Sequence, residues 1–436
     1  MTAIVGVLNS QGIALAADSA VTVTGRNGKK VYNRSNKIFT LSKYHPIGIA
    51  IYNNADFIGI PLETIIKLYR KTIKEKSFNT VNEYKNDFLD FVRSQVRLIS
   101  PESKRDAFYS FCQEAFNHVK DSITTKLKAI ENELLQLDQA EAIQLIDIEM
   151  LNEIDAYLQI LQGYHKADYV NLPAESYYTH YQNELTEIAN FIEQGIQKHQ
   201  PLAVLKPNHL ERLNAIFFEL VNIEFIFERF CGLIFFGFGE AELFPSSHLA
   251  LLGTLIVDQP RIRIFEARDI VPGKTNSNIL PYVQGDVTEA VLTGVDPNFK
   301  NEMSSAVESS FRTISEEITN RIPPGEEANQ IAAIINDTGT QLLQKLNEYQ
   351  MNNITGPLLD ILAHMGKEDM AELAESLVNI TSLKRKFTSS DSADESVGGP
   401  VDVALVTKGD GFVWMKRKQY FDINDNRGFI ERYYKS

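Results

Sequence analysis

The chain has 436 residues, 44% hydrophobic and 23% charged, a globular composition that excludes a disordered protein and leaves room for two or three domains of roughly 150 residues each. A formal net charge of −14 argues against a binder of nucleic-acid backbones, which normally presents a basic face. Two cysteines, Cys112 and Cys231, cannot build a disulfide framework and suit a reducing compartment.

Along the chain, Ala3 to Leu8 predicts a short strand, Asn9 to Gly12 a turn, and Ile13 to Ala17 a second strand running straight into Asp18-Ser19. Asn36-Lys37 opens a third apolar run, Ile38 to Leu41. Short apolar runs alternating with turn signals over residues 1–57 predict an antiparallel sheet. From Pro61 the period becomes helical, with Ile65, Ile66, Leu68 and Tyr69 set among Lys and Arg as far as Lys76. Asn79 to Ile99 predicts a second amphipathic helix capped by Asn79-Thr80.

Pro101 to Phe230 is helical and acidic. Ile123, Leu127, Ile130, Leu134 and Leu137 follow one another at intervals of 4, 3, 4 and 3, the seam of a helical hairpin or short coiled coil. Ile143, Ile146, Met150, Ile154 and Tyr157 continue the stripe after a phase shift. The region reads either as a lid, docking arm or assembly contact, or as a helical domain with its own small core. Gly232 to Phe238, Leu249 to Val257 and Arg261 to Glu266 predict buried strands. Residues 300–380 are helical again, interrupted at Pro323-Pro324-Gly325, and Met370 to Lys386 is the last helix. After the polar loop Thr388 to Ser396, strands Val401 to Val406 and Gly411 to Arg417 close the sheet. This order predicts an α+β fold, a four-layer αββα sandwich. Residues 1–100 and 230–436 form its discontinuous core, 101–229 a helical insertion, and 296–365 an extended helical segment.

Thr2 is the first candidate for chemistry. Removal of Met1, usual before a small residue, exposes an α-amino group beside the Thr2 hydroxyl. A free α-amine titrates at about 7.7–8.0, so one residue then supplies both nucleophile and base. A second-position threonine is common, and its weight rests on the strand–turn–strand frame ending at Asp18 and on Lys37. Asp18 reads either as part of that site or as a turn residue after a strand. Lys37 reads either as an inward-pointing lysine at a strand start or as a solvated one. Gly237-Phe238-Gly239 lacks the third glycine of a dinucleotide fingerprint, and Gly273-Lys274-Thr275 lacks the upstream glycine of a P-loop. The eight histidines and two cysteines form neither H-E-x-x-H nor CxxC, so no metal and no cofactor is predicted.

Thr2, the run ending Ala16-Ala17-Asp18-Ser19, and Asn36-Lys37-Ile38 together resemble the β-subunits of the 20S proteasome and the related HslV peptidase. That family carries an N-terminal Thr, an apolar strand ending A-x-D-S, and a Lys in an N-K-V/I context. Gly48 to Asp56 (GIAIYNNAD) resembles its G-x-x-A-G-x-x-A-D segment, and Asp394 to Val406 (DESVGGPVDVALV) its D-x-x-S-G-G stretch. Tyr282 to Asp286 (YVQGD) resembles its G-S-G loop more loosely. The resemblance implies an N-terminal-nucleophile fold in which Lys37 lowers the proton affinity of the Thr2 site, Asp18 holds Lys37, and Asp394 supports the amine. It places the backbone N–H groups of Tyr52 and Asn53 at the oxyanion. Tyr52 stands where the family has glycine and is expected to crowd the pocket. Ser19, Gln284, Asp286 and Ser396 fall beside the site.

What the resemblance implies is a threonine-type peptidase cleaving peptide or other amide bonds. The implied partners are a peptide or protein substrate and further copies of the chain, in a homo-oligomer such as a ring, with any ATP-driven unfoldase unidentified. Two rivals stand beside it: a small-molecule amidase on the same frame, and a non-catalytic structural or regulatory subunit that keeps Met1. The chain start lacks the charge and apolar pattern of a secretory signal, and no run approaches ~18 apolar residues. The expected location is the cytoplasm, with no membrane partner.

Overall fold

The computed structural model describes residues 2–25, 28–32, 35–167, 172–198, 200–224, 226, 229–388, 398–419, 421–422 and 424–428. The first strands are β1 (Ile4–Asn9), β2 (Gly12–Ala17), β3 (Val21–Gly25), β4 (Gly28–Tyr32), β5 (Ile38–Thr40), β6 (Ile47–Asn53), β7 (Asp56–Phe57) and β8 (Ile60–Pro61). Eight helices follow: α1 (Leu62–Ile73), α2 (Val81–Gln95), α3 (Pro101–Ala129), α4 (Glu131–Leu134), α5 (Gln139–Gln162), α6 (Ala174–His180), α7 (Gln182–Gln197) and α8 (Pro207–Asn222). Then come β9 (Cys231–Gly237), β10 (Ser246–Ile256), β11 (Gln259–Ile264), β12 (Arg268–Asp269) and β13 (Ser277–Val283). Helices α9 (Gly285–Thr293), α10 (Pro297–Thr319), α11 (Glu326–Gln350), α12 (Gly356–Ala363) and α13 (Lys367–Thr388) lead to the closing strands β14 (Asp402–Thr407) and β15 (Gly411–Lys416).

The fold is α+β with antiparallel sheets. One sheet has the order β13-β1-β2-β14-β15, and the other β11-β10-β9-β6-β5 with β12 paired to β10. Their strands read as unbroken apolar runs because both faces are covered, which removes the polar half of the usual alternation. Ile4, Leu8, Ile13 and Leu15 of the first sheet share one buried cluster with Ile38, Ala50, Ile234 and Phe236 of the second, so the sheets pack face to face. The alternate residues Val5, Val7, Ala14 and Ala16 point the other way, against Met370, Ala374, Leu377 and Val378 of α13. Alanines on β2 let that helix approach closely. On the far side of the second sheet, Ile49, Leu233 and Phe235 pack against Ile65 and Tyr69 of α1 and Phe88 of α2.

Residues from α3, α5, α7 and α8 build a separate apolar cluster around Phe108, Phe116, Met150, Ile192 and Phe217. The expected seam runs only part of its length. Ile123 and Leu127 are buried on α3, but that helix ends at Ala129, and Leu134 falls in the one-turn α4. The outcome is a bundle of four long helices, since α7 and α8 also turn apolar faces inward. Arg261 of β11 joins bundle to sheet. Buried to 2% exposure, it donates through Nη2 to Leu220 O (2.6 Å) and Ile223 O (3.0 Å), capping α8, and its guanidinium lies over the Phe111 ring. Helices α10 and α11 pack on each other as a long hairpin, with Ser315, Ala328 and Gly339 as their buried residues. Among the described residues, no helix is long and apolar enough to cross a membrane.

Candidate active site

The β1–β2 hairpin brings Thr2 and Asp18 to the same end of one sheet, because the pairing of Ile4 with Ala17 places the residues flanking them side by side. Thr2 is 8% exposed and Asp18 1%. The second sheet supplies Lys37, which precedes β5 and accepts the N–H of Ile51 on its carbonyl (2.8 Å). Its side chain reaches across the gap between the sheets, and Nζ lies 2.6 Å from Asp18 Oδ1. Both ends of this ion pair are buried.

Among the described residues, four donors hold Asp18. Oδ1 accepts from Lys37 and from the Ala3 N–H (2.9 Å), the amide that joins Thr2 to the chain. Oδ2 accepts from the N–H groups of Ala20 (3.1 Å) and Gly398 (3.0 Å). Hydrogen bonds to an ionised acceptor are strong, and this set fixes the Thr2 backbone relative to the lysine. Burial pushes the Lys37 ammonium below its ordinary pKa, against the attraction of Asp18, while the positive charge of Lys418 pushes the same way as burial. A buried lysine depressed in this manner sheds its proton more readily.

Tyr52 lies on β6 opposite Gly232 of β9. Its ring takes the space a side chain there would fill, since a Cβ on Gly232 would sit 2.1 Å from Tyr52 Cε1. It meets Phe230 edge-on at 5.9 Å and belongs to the layer between the sheets. The tyrosine thus leans along β9, and burial lifts its phenol to about 12. Asn53 ends β6 in the left-handed conformation at φ 63°. Ser19 is a stitch: its hydroxyl donates to Pro400 O (2.5 Å), its N–H to Gly398 O (3.1 Å), and its carbonyl accepts from the Ser35 N–H (3.0 Å). Gln284, also left-handed, sits between β13 and α9, one residue past the strand partner of Ile4. Asp286 turns to α13, where it receives Lys384 (3.0 Å) and Arg385 (2.5 Å). Asp394 and Ser396 lie outside the described residues.

Two features were not foreseen. Asp402, the first residue of β14, pairs with Ala17 and accepts both the N–H (2.8 Å) and the ammonium of Lys418. Its signal in the sequence was an acid inside the apolar run VDVALV. Lys418, in the basic run KRK, carried none. A cavity of about 570 Å³ also opens along the sheet edge beside Ser247, Arg268, Asn278, Leu280 and Tyr282. Two of its lining residues, Tyr282 and Ser247, are hydrogen-bonded to each other through their hydroxyls. No group of three or more His, Cys, Asp or Glu among the described residues is arranged to hold a metal.

No family model matches this chain, and no curated protein does. Solved structures that match include an Anbu Gly-1 mutant from Hyphomicrobium sp. strain MC1, with 9% identity and a TM-score of 0.27 over 100% of this chain and 97% of that one. Anbu (ancestral beta-subunit) from Yersinia bercovieri matches with 9% identity and a TM-score of 0.25 over 100% and 96%. Likeness at this level carries no argument for fold or function. The expectation from sequence is corrected: membership of the 20S proteasome β-subunit and HslV family does not stand, since no family model and no curated protein matches and the matching structures named above are Anbu chains at 9% identity. The segments behind that expectation are short strands and turns, whose apolar runs and turn residues are general signals of antiparallel pairing.

Proposed function

We propose that this chain is an N-terminal threonine hydrolase of amide bonds, active once the residue before Thr2 is removed. The observation behind the reading is the buried Asp18 carboxylate, which joins Lys37 to the amide following Thr2. In the proposed reaction, Thr2 Oγ adds to the substrate carbonyl carbon while its proton passes to the Thr2 α-amine. The tetrahedral adduct then collapses, the C–N bond breaks, and the leaving amine takes that proton. Water adds to the resulting ester, releases the carboxylic acid and restores the hydroxyl. A positive charge on Lys37, favoured by its ion pair with Asp18, disfavours protonation of the amine and keeps it a base near neutral pH. The N–H of Ile51 turns to Lys37 and that of Asn54 to Phe230, so by alternation the Tyr52 N–H lies on the β9 edge and the Asn53 N–H on the side of Lys37, where it would face the oxyanion.

In this proposal the fold is a four-layer αββα sandwich of the N-terminal-nucleophile kind, which the helices outside each sheet support. Its core is discontinuous, residues 1–100 and 230–436 around a helical insertion at 101–229, its substrate is a peptide or protein, and the chain assembles with further copies of itself in the cytoplasm. The test is intact mass with and without a peptide epoxyketone, together with hydrolysis of fluorogenic peptide amides. The expected result is an N-terminal Thr2 carrying a single adduct, with turnover abolished in a folded Thr2→Ala variant. Retained turnover in that variant, or a free Thr2 that never reacts, overturns the reading. A chain that keeps Met1 points to a non-catalytic role.

A further inference from the structure

We propose that the α10–α11 hairpin is a dimerisation arm, whose one apolar face packs against the same face of a second copy of this chain to form a four-helix bundle. The inference names a surface for the self-assembly proposed above and rests on that part of the reading, not on the chemistry of Thr2. The two helices meet closely at their middle, where a Cβ on Gly339 would sit 2.9 Å from Phe311 Cγ. Little else is covered: of the 23 residues of α10 and the 25 of α11, Ser315, Ala328 and Gly339 are the buried ones. Most helical stability in proteins comes from packing an apolar face, and this hairpin by itself buries only small residues.

Large apolar side chains nonetheless stand exposed. They are Phe299 and Ile314 on α10 and Ile334, Leu342 and Tyr349 on α11, with Ile334 66% and Tyr349 64% exposed. At about 100° per residue, Ser315 and Ala328 fall close to the line where Phe311 meets Gly339. The five exposed residues all fall to one rotational side of that line. Because the helices are antiparallel, the same sense of rotation on each brings both stripes to one face of the hairpin. Glu317, Glu327 and Lys345 fall on that side as well, so the margin carries both signs. A strongly charged partner would be met by a rim of one sign, whereas a mixed rim does not repel a copy of itself. The face is two helices wide and about 35 Å long, roughly 700 Å². Covering it with its counterpart removes roughly 1,400 Å² in all, inside the ~1,200–2,000 Å² of stable interfaces. Contact between identical patches closes as a two-fold dimer, and two such hairpins complete a four-helix bundle. A hairpin without a core of its own needs a permanent cover, which a copy made in equal amount supplies.

The test is sedimentation velocity of the full chain between ~0.1 and ~50 µM. The wild type should sediment with twice the mass of one chain. The double variant Ile334→Glu/Leu342→Glu changes two exposed positions, so it should keep the native circular dichroism while its association weakens roughly 100-fold. Should that variant misfold, Tyr349→Lys at the base of the arm reads the same contact. Phe191→Glu, which alters an exposed aromatic on α7 rather than on the arm, should leave association native. A wild type that stays monomeric across the range overturns the inference. So does an assembly that the folded arm variants leave intact, or one that Phe191→Glu breaks equally. Association is read by mass alone, so it stands or falls independently of whether Thr2 reacts with an epoxyketone.

Discussion

Tyr52 and Gly232 show how one residue's size is set by another far away in sequence. They are cross-strand partners on β6 and β9, strands separated by the whole helical bundle. The tyrosine ring fills the space over Gly232 so closely that Cε1, Cζ and Cδ1 lie 2.1, 2.2 and 2.4 Å from where a Cβ would be. Gly232→Ala should therefore cost about 1–3 kcal/mol through overpacking, measured as a lower denaturant midpoint. In a Tyr52→Ala background the same change should cost far less, and the double-mutant cycle measures that coupling. An innocuous Gly232→Ala in the wild-type background would mean the ring does not rest there. Sequence reasoning found Tyr52 and expected it to crowd the Thr2 pocket, but it had no means of knowing that the neighbouring strand offers a glycine to lean on. The same limit explains the site as a whole. Asp18 and Lys37 were legible because each stands at the end or start of a recognisable strand. The pairing of Asp402 with Lys418 was not, because it depends on the register of β14 against β2 and on a chain end that reads as solvated.

At the scale of elements, helices with a clear apolar period were legible. Thr80 caps α2 by accepting the Glu83 N–H (3.2 Å) as its position suggested, and β9 and β10 announced themselves as buried runs. Strand β13 was hidden by Pro281 and by its polar start Ser277-Asn278, and the β3–β4 hairpin by its mixed polarity. Strand β12 is only two residues long, and side chains secure it. Ser246 Oγ donates to Asp269 Oδ1 (2.6 Å) and lies 2.8 Å from His248 Nε2, joining the start of β10 to β12 and leaving the imidazole to act as donor. Burial and the nearby Lys85 of α2 depress His248 to about 4, while Asp269 opposes them. Since the unfolded histidine titrates near about 6.5, the unfolded chain binds the extra proton between these values. Stability from this group is whole above pH 6.5 and falls as the pH drops toward 4. His248→Gln, uncharged throughout, should remove that part of the slope, about 2 kcal/mol across the window. Urea unfolding at pH 7 and pH 4.5 checks it, and an unchanged difference between the two pH values would exclude His248 as its source.

The whole molecule is organised around four apolar clusters: one between the sheets, one on each outer side, and one inside the helical bundle. The hairpin of α10 and α11 contributes to none of them. Between Pro297 and Gln350 its buried residues are Ser315, Ala328 and Gly339, too small to carry much of the folding energy, while Phe299, Ile334, Leu346 and Tyr349 are exposed. Its base is fastened by polar contacts, with Lys300 Nζ on Gln350 Oε1 (2.6 Å) and Gln350 Nε2 on Thr293 O (2.7 Å). Those contacts also mean that the chain leaves and re-enters the body at neighbouring points. Replacing residues 301–349 with a short Gly/Ser linker should therefore leave the rest folded, with a thermal midpoint within about 4 °C of the native one. Loop-closure entropy changes slowly with length and offers no objection. Epoxyketone modification of Thr2 should proceed at the native rate, because every contact found for Asp18, Lys37 and Asp402 lies outside the excised segment. A large drop in midpoint would show that the hairpin is part of the folding unit. If small peptide amides are cleaved normally while protein substrates are lost, the exposed apolar residues of the arm serve substrate capture rather than stability.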